Sequence, residues 1–152
     1  MNDSSKIMFF YTVLDREQFN IREGALPPPS PTYNLPKGGV IPVGFSFGVM
    51  LSIDNNYHTV IFIADDSGNQ LSSTEDQRIA VDGYNISSEI KEYEKEVIAL
   101  AKMDVDTNIL KSGRHKATIE LREGLTPNEG DDVAREVIHT LDTYFYINME
   151  NQ

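Results

Sequence analysis

Three histidines, His58, His115 and His139, are the only imidazoles in a chain that has no cysteine. Without Cys there is no thiolate metal site, no Cys nucleophile and no disulfide framework. A zinc site would need three or four ligands, each imidazole oriented by a further partner. His115 and His139 fall on the inward faces of strands that could be neighbours, but two rings do not fill that set, so each is expected to be a packed or strand-end histidine. Gly44-Phe45-Ser46-Phe47-Gly48 has the spelling of a nucleophile elbow. The elbow needs a sharp strand-to-helix turn that exposes the hydroxyl, whereas Ser46 lies inside an alternating run between two phenylalanines. The small residues there are better suited to close approach of a sheet or partner. Gly38-Gly39 beside Lys37 lacks the spacing of either phosphate-cradling fingerprint.

Carboxylates offer more. Asp65-Asp66, Asp104 with Asp106, and Glu129 with Asp131 and Asp132 all fall at or near turns. Calcium takes six to eight oxygens from several loops, so Asp104, Asp106, Asp131 and Asp132 are the candidate cation ligands if those clusters share one rim. No EF-hand spelling occurs. No arrangement supplies a nucleophile, a base and an orienting group together, so the residues weigh against an enzyme and imply no cofactor. A different function is suggested by Pro28-Pro29-Ser30-Pro31, a PxxP spelling that can present a preformed polyproline helix to an aromatic groove. The stretch serves first as a rigid connection, because proline lowers the entropy of the unfolded chain. As an interface it would use Pro28, Pro29 and Pro31, with Tyr33 and Leu35 as apolar anchors.

The elements that must carry these residues read as strands. Ile7 to Leu14 is apolar on both faces, as a central or doubly covered strand would be. Gly24 to Pro42 reads as a long extended loop. Val43, Phe45, Phe47, Val49, Leu51 and Ile53 then alternate with mostly small residues, which predicts a strand with one bulky face. Asp54-Asn55-Asn56 followed by Tyr57 to Ala64 predicts a hairpin. After the turn Asp65 to Asn69, a short strand is expected over Gln77 to Asp82. Ser87 to Met103 supports two periods, read as a helical turn near Ser88 to Tyr93 and a strand from Val97. His115, Ala117, Ile119 and Leu121 alternate with Lys116, Thr118, Glu120 and Arg122, and a final strand is predicted over Glu136 to Met149.

Seven or eight strands, without the alternating helices of a parallel sheet, predict an all-β antiparallel sandwich forming a single domain over residues 1–152. From Ser112 onward, Ser112-Gly113-Arg114-His115-Lys116-Ala117-Thr118-Ile119-Glu120-Leu121 with the loop and last strand after it resembles the closing hairpin of immunoglobulin-like sandwich domains. It departs from the antibody type in lacking paired Cys and a core Trp, and His115 stands where related bacterial modules often have an aromatic residue. That resemblance implies architecture; the fold serves adhesion, inhibition, chaperone and enzyme-accessory roles alike.

Thirteen Lys and Arg against twenty-four Asp and Glu give a net charge of -11. Such a surface repels nucleic-acid backbones and steers basic partners inward, besides keeping the chain soluble. No apolar run reaches the roughly 18 to 20 residues of a membrane span. Asp3 before Lys6, and Asp15-Arg16-Glu17 after the apolar stretch, do not spell a secretory leader, so a cytoplasmic location is expected. The expected function is a non-enzymatic protein-binding module, of the kind a bacterial or phage inhibitor, accessory or immunity protein acting on a basic target would be. The alternatives are a calcium- or zinc-dependent domain using the Asp-rich rim, and a self-associating homo-oligomer in which Gly44 to Asp54 pairs between copies.

Overall fold

The computed structural model describes residues 5–13, 30–35, 39–52, 57–74, 88–92, 96–123 and 136–149. Among them are nine strands and no helix: β1 (Lys6–Val13), β2 (Thr32–Leu35), β3 (Gly39–Ser52), β4 (Tyr57–Asp65), β5 (Gln70–Ser73), β6 (Ser88–Glu92), β7 (Glu96–Ile109), β8 (Gly113–Glu123) and β9 (Val137–Met149). They form a four-stranded sheet in the order β1-β3-β7-β6 and a five-stranded sheet in the order β2-β9-β8-β4-β5. Every pairing is antiparallel except β2 with β9.

Two-residue alternation decides which side chains enter the core. Val43, Phe45, Phe47, Val49 and Leu51 on β3, Ala99, Ala101, Met103 and Val105 on β7, and Ala117, Ile119 and Leu121 on β8 are all buried in one cluster between the sheets. Phe10 stacks on Phe45 with ring centroids 5.0 Å apart. Removing such side chains from water is the main favourable term, about 1.5 to 3 kcal/mol for each large apolar group.

The other face of β3 is buried as well, and its small residues have a local reason. A Cβ on Gly48 would lie 2.6 Å from Phe9 Cε2, and one on Gly44 would lie 2.9 Å from the Val13 carbonyl oxygen. Side chains of β1 and β7 therefore fold across β3, and β3 is paired on both sides from Gly44 to Met50. It offers no free edge there to a second copy.

Several expectations are corrected. Among the described residues β1 is an edge strand, with Met8 exposed and Phe9 and Tyr11 only partly buried, where a central or doubly covered strand was expected. β3 and β4 belong to different sheets, so the two strands do not form the expected hairpin; turn-forming residues serve either route. Ser88–Glu92 is a strand paired with Val97 to Ala101, because ladder bonds to β7 outweigh the marginal stability of a lone helical turn. The Pro-rich stretch contains β2, and β3 begins at Gly39 with Pro42 inside it. Proline is tolerated there because the ladder with β1 ends at Gly44. β5, unforeseen, follows the Asp65 to Asn69 turn directly; the strand expected over Gln77 to Asp82 lies outside the described residues.

The sheets are tied at their edges. The Ile7 N–H donates to His139 Nδ1 (2.9 Å), and the Ser72 hydroxyl donates to the Asp106 carbonyl (3.0 Å). Ser30, just before β2, donates its N–H to the Thr12 carbonyl (2.7 Å) and accepts the Thr12 hydroxyl (2.6 Å). No helix among the described residues is long and apolar enough to cross a membrane.

Candidate functional site

Where the β4–β5 turn meets β8 and β9, a depression of about 310 Å³ is lined by Ala64, Asp65, Asp66, Gly68, Arg114, His115, Lys116 and Tyr144. The turn is built by Asp65. Its Oδ1 accepts the N–H groups of Ser67 and Asn69 (both 3.0 Å), and its Oδ2 accepts the Asn69 side-chain amide (3.3 Å). Gly68 closes the turn at φ +85°, a conformation that costs a side chain about 1 to 2 kcal/mol. Burial pushes the Asp65 carboxyl up, but the Asn69 and Ser67 hydrogen bonds and the nearby Lys111 ammonium together hold it below the usual carboxylate value.

The walls come from outward residues of β8 and β9. Lys116 pairs in register with Ala64 on one side and Tyr144 on the other. Arg114 donates through Nε and Nη2 to Asp66 Oδ1 (3.3 and 3.2 Å), and its guanidinium lies 5.8 Å from the centroid of the Tyr144 ring. Lys111 donates to the Ser67 hydroxyl at 2.7 Å. Lys116 is exposed and makes no ion pair among the described residues. Tyr144 and Tyr146 are 55% and 51% exposed on one face of β9, with Arg114 opposite Tyr146. His115 is 1% exposed and stacked on Phe145, with Nδ1 2.9 Å from the Gly113 carbonyl. A carbonyl oxygen only accepts, so Nδ1 carries the proton, and in the neutral ring Nε2 keeps a buried lone pair with no donor among the described residues.

The residues singled out from sequence are dispersed. Tyr33 is 7% exposed, packed edge-on against Phe145, and donates its hydroxyl to the Val13 carbonyl (2.5 Å), so it is part of the core. Leu35 is half-buried opposite Met149. Pro31 is exposed, and its carbonyl accepts the Tyr146 N–H (2.8 Å), which places it beside the exposed tyrosines. Pro28 and Pro29, like Asp131 and Asp132, lie outside the described residues.

Asp104 is ion-paired with Lys102 (3.4 Å), while Asp106 is exposed two residues further along β7. No group of three or more His, Asp or Glu side chains able to hold a metal occurs among the described residues. His115 pairs with Phe145 and His139 with Leu121, which puts the two rings roughly 20 Å apart along the sheet. Ser46 is buried in the middle of β3, between Tyr11 and Lys102, with no turn to expose it. The tyrosine face was missed because Tyr144 and Tyr146 sit in an alternating strand, where period alone does not say which row is wet. The Lys and Arg of the facing β8 row could have said so.

Compared with known proteins, the chain matches no family model and no curated protein.

Proposed function

We propose that the chain is a non-enzymatic protein-binding module of immunoglobulin-like architecture, which meets its partner with the outer face of the five-stranded sheet. The strand orders support the architectural reading. Lettered along the chain as A, A′, B, C, C′, D, E, F and G, the sheets read A-B-E-D and A′-G-F-C-C′, with β1 and β2 in the places of A and A′ on different sheets. His115, bonded back to Gly113 and two residues before buried Ala117, stands where antibody-type domains keep a tyrosine two residues before a core Cys.

The observation that carries the functional reading is the pair of half-exposed tyrosines on β9, flanked by Arg114 and by Pro31. Tyrosine offers a large rigid contact area with a polar tip, and Tyr and Arg are the residues in which binding energy concentrates. The net charge of -11 lies mostly elsewhere on the chain and acts at longer range, drawing in a basic target, as an inhibitor or accessory protein would.

The test is affinity capture from the source cells with the native chain beside a Tyr144→Ser/Tyr146→Ser variant of unchanged circular dichroism. Loss of a captured protein with the variant, together with association that slows as salt rises from about 50 to 500 mM, is expected. Identical capture by both baits refutes the reading.

A further inference from the structure

The outer face of the four-stranded sheet is apolar where an antiparallel sandwich normally turns polar side chains to water. Phe9 and Tyr11 on β1, Met50 on β3, and Ile98 and Leu100 on β7 lie there half-buried, with Met8 38% exposed at the bulge beside them. The Phe9 and Tyr11 rings are 5.8 Å apart, and Phe9 and Leu100 are the side chains that cover Gly48. The register of β1, β3 and β7 puts two lysines, Lys6 and Lys102, and three acids, Glu96, Asp104 and Asp106, on this face. They leave one negative charge there, in a chain of net charge -11. Lys102 is held by Asp104 (3.4 Å), whereas Lys6 and Asp106, at opposite ends of the face, are exposed and make no ion pair among the described residues.

We propose that this face is a dimer interface, occupied by a second copy of the chain stacked sheet on sheet about a two-fold axis near Ser46. Between the levels of Lys6 and Asp106 the face measures roughly 400 Å² in plan, the size of patch that marks an interaction site. Side-chain relief raises its accessible area toward the about 800 Å² per partner of a stable interface. The two loose charges select the occupant. Lys6 is level with Met50 and Asp106 with Pro42, so the line joining them crosses β3 at Ser46, spanning about 26 Å along the strand and about 10 Å across it. The Thr12 carbonyl turns away from β3 to accept the Ser30 N–H, so Tyr11 and its partner Ser46 turn their backbone groups toward each other. With L-residues this puts β1 to the right of a rising β3 seen from outside. Stacked sheets cross at about −30°, and on this hand a two-fold axis at that crossing sets Lys6 of each copy over Asp106 of the other. Two opposite-charge contacts then flank the apolar centre, and β1 gains the second cover that its sequence, apolar on both faces, calls for. The assignment is separate from the protein-binding reading, which uses the opposite sheet.

The test is sedimentation equilibrium of the intact chain from about 1 to 300 µM in about 0.15 M salt, where a reversible dimer is expected. Lys6→Glu or Asp106→Lys alone sets two like-charged pairs across the axis and should weaken the dimer about tenfold or more, the second doing so although it lowers the net charge. An equimolar mixture of the two variants should regain near-native association, because each mixed dimer again pairs opposite charges at both ends. Thermal melts confirm that both variants, changed only at exposed positions, keep the fold. Met50→Lys should also weaken the dimer, and Tyr146→Ser should leave it unchanged even where that variant loses a protein partner. A monomer throughout the range, a dimer indifferent to both charge variants, or a mixture no tighter than the variants alone overturns the assignment. So does a monomeric chain whose capture of a different protein is lost in folded Met50→Lys, which would put that protein on this face.

Discussion

His139 joins the two sheets by accepting the Ile7 N–H on Nδ1, and a protonated ring cannot accept it. Partial burial, and then the nearby Lys6 ammonium, lower its pKa below the ordinary 6.5. The folded chain therefore takes up this proton less readily than the unfolded one. The resulting stabilisation is complete above the unfolded value and drains as pH falls through the lower folded value. Urea midpoints for the native chain should drop as pH falls below about 6.5 by more than those of His139→Asn, whose side-chain oxygen accepts the same N–H at every pH. Parallel curves for the two proteins would refute this. Residues of this kind were only partly legible in sequence. That His139 would be a satisfied strand-end histidine followed from the shortage of metal ligands. The burial of Tyr33 was not legible, because its proline-rich surroundings suggest a surface loop, while the packing depends on β9, more than a hundred residues away.

At the scale of elements, β3 shows how a strand can be covered on both faces without a third layer. Its small residues accept side chains leaning over from β1 and β7, so they are a packing requirement rather than an opening for another molecule. At Gly44 the nearest atom to an added Cβ is a backbone oxygen, which cannot swing aside, whereas at Gly48 it is the end of the Phe9 ring. Gly44→Val is accordingly expected to destabilise by about 1 to 3 kcal/mol, and Gly48→Ala by less, measured as shifts in denaturant midpoint. A larger loss at Gly48 would contradict this account. The long strands β3, β7, β8 and β9 were legible because alternation persists over many residues. The short ones were not: β2, β5 and β6 are held by ladders to distant partners, and four or five residues carry too little pattern to announce them.

For the whole molecule, the two-layer architecture could be read from strand patterning, but the sheet to which each strand belongs could not. Turn chemistry between β3 and β4 is silent on whether the chain doubles back or crosses over. Charge acts at this same scale. With a net charge of -11, like charges repel across the folded surface, and added salt screens them. The melting temperature should rise by a few degrees between about 10 mM and 0.5 M sodium chloride, with a smaller rise for a variant in which several exposed acids are neutralised. An unchanged or falling midpoint would show that the negative charges sit too far apart to matter. The parallel ladder from Thr32–Tyr146 to Leu35–Met149 also has a mechanical consequence. A pull applied between the start of β2 and the end of β9 loads that ladder in shear, so its bonds must give way together, and β2 cannot simply be peeled off.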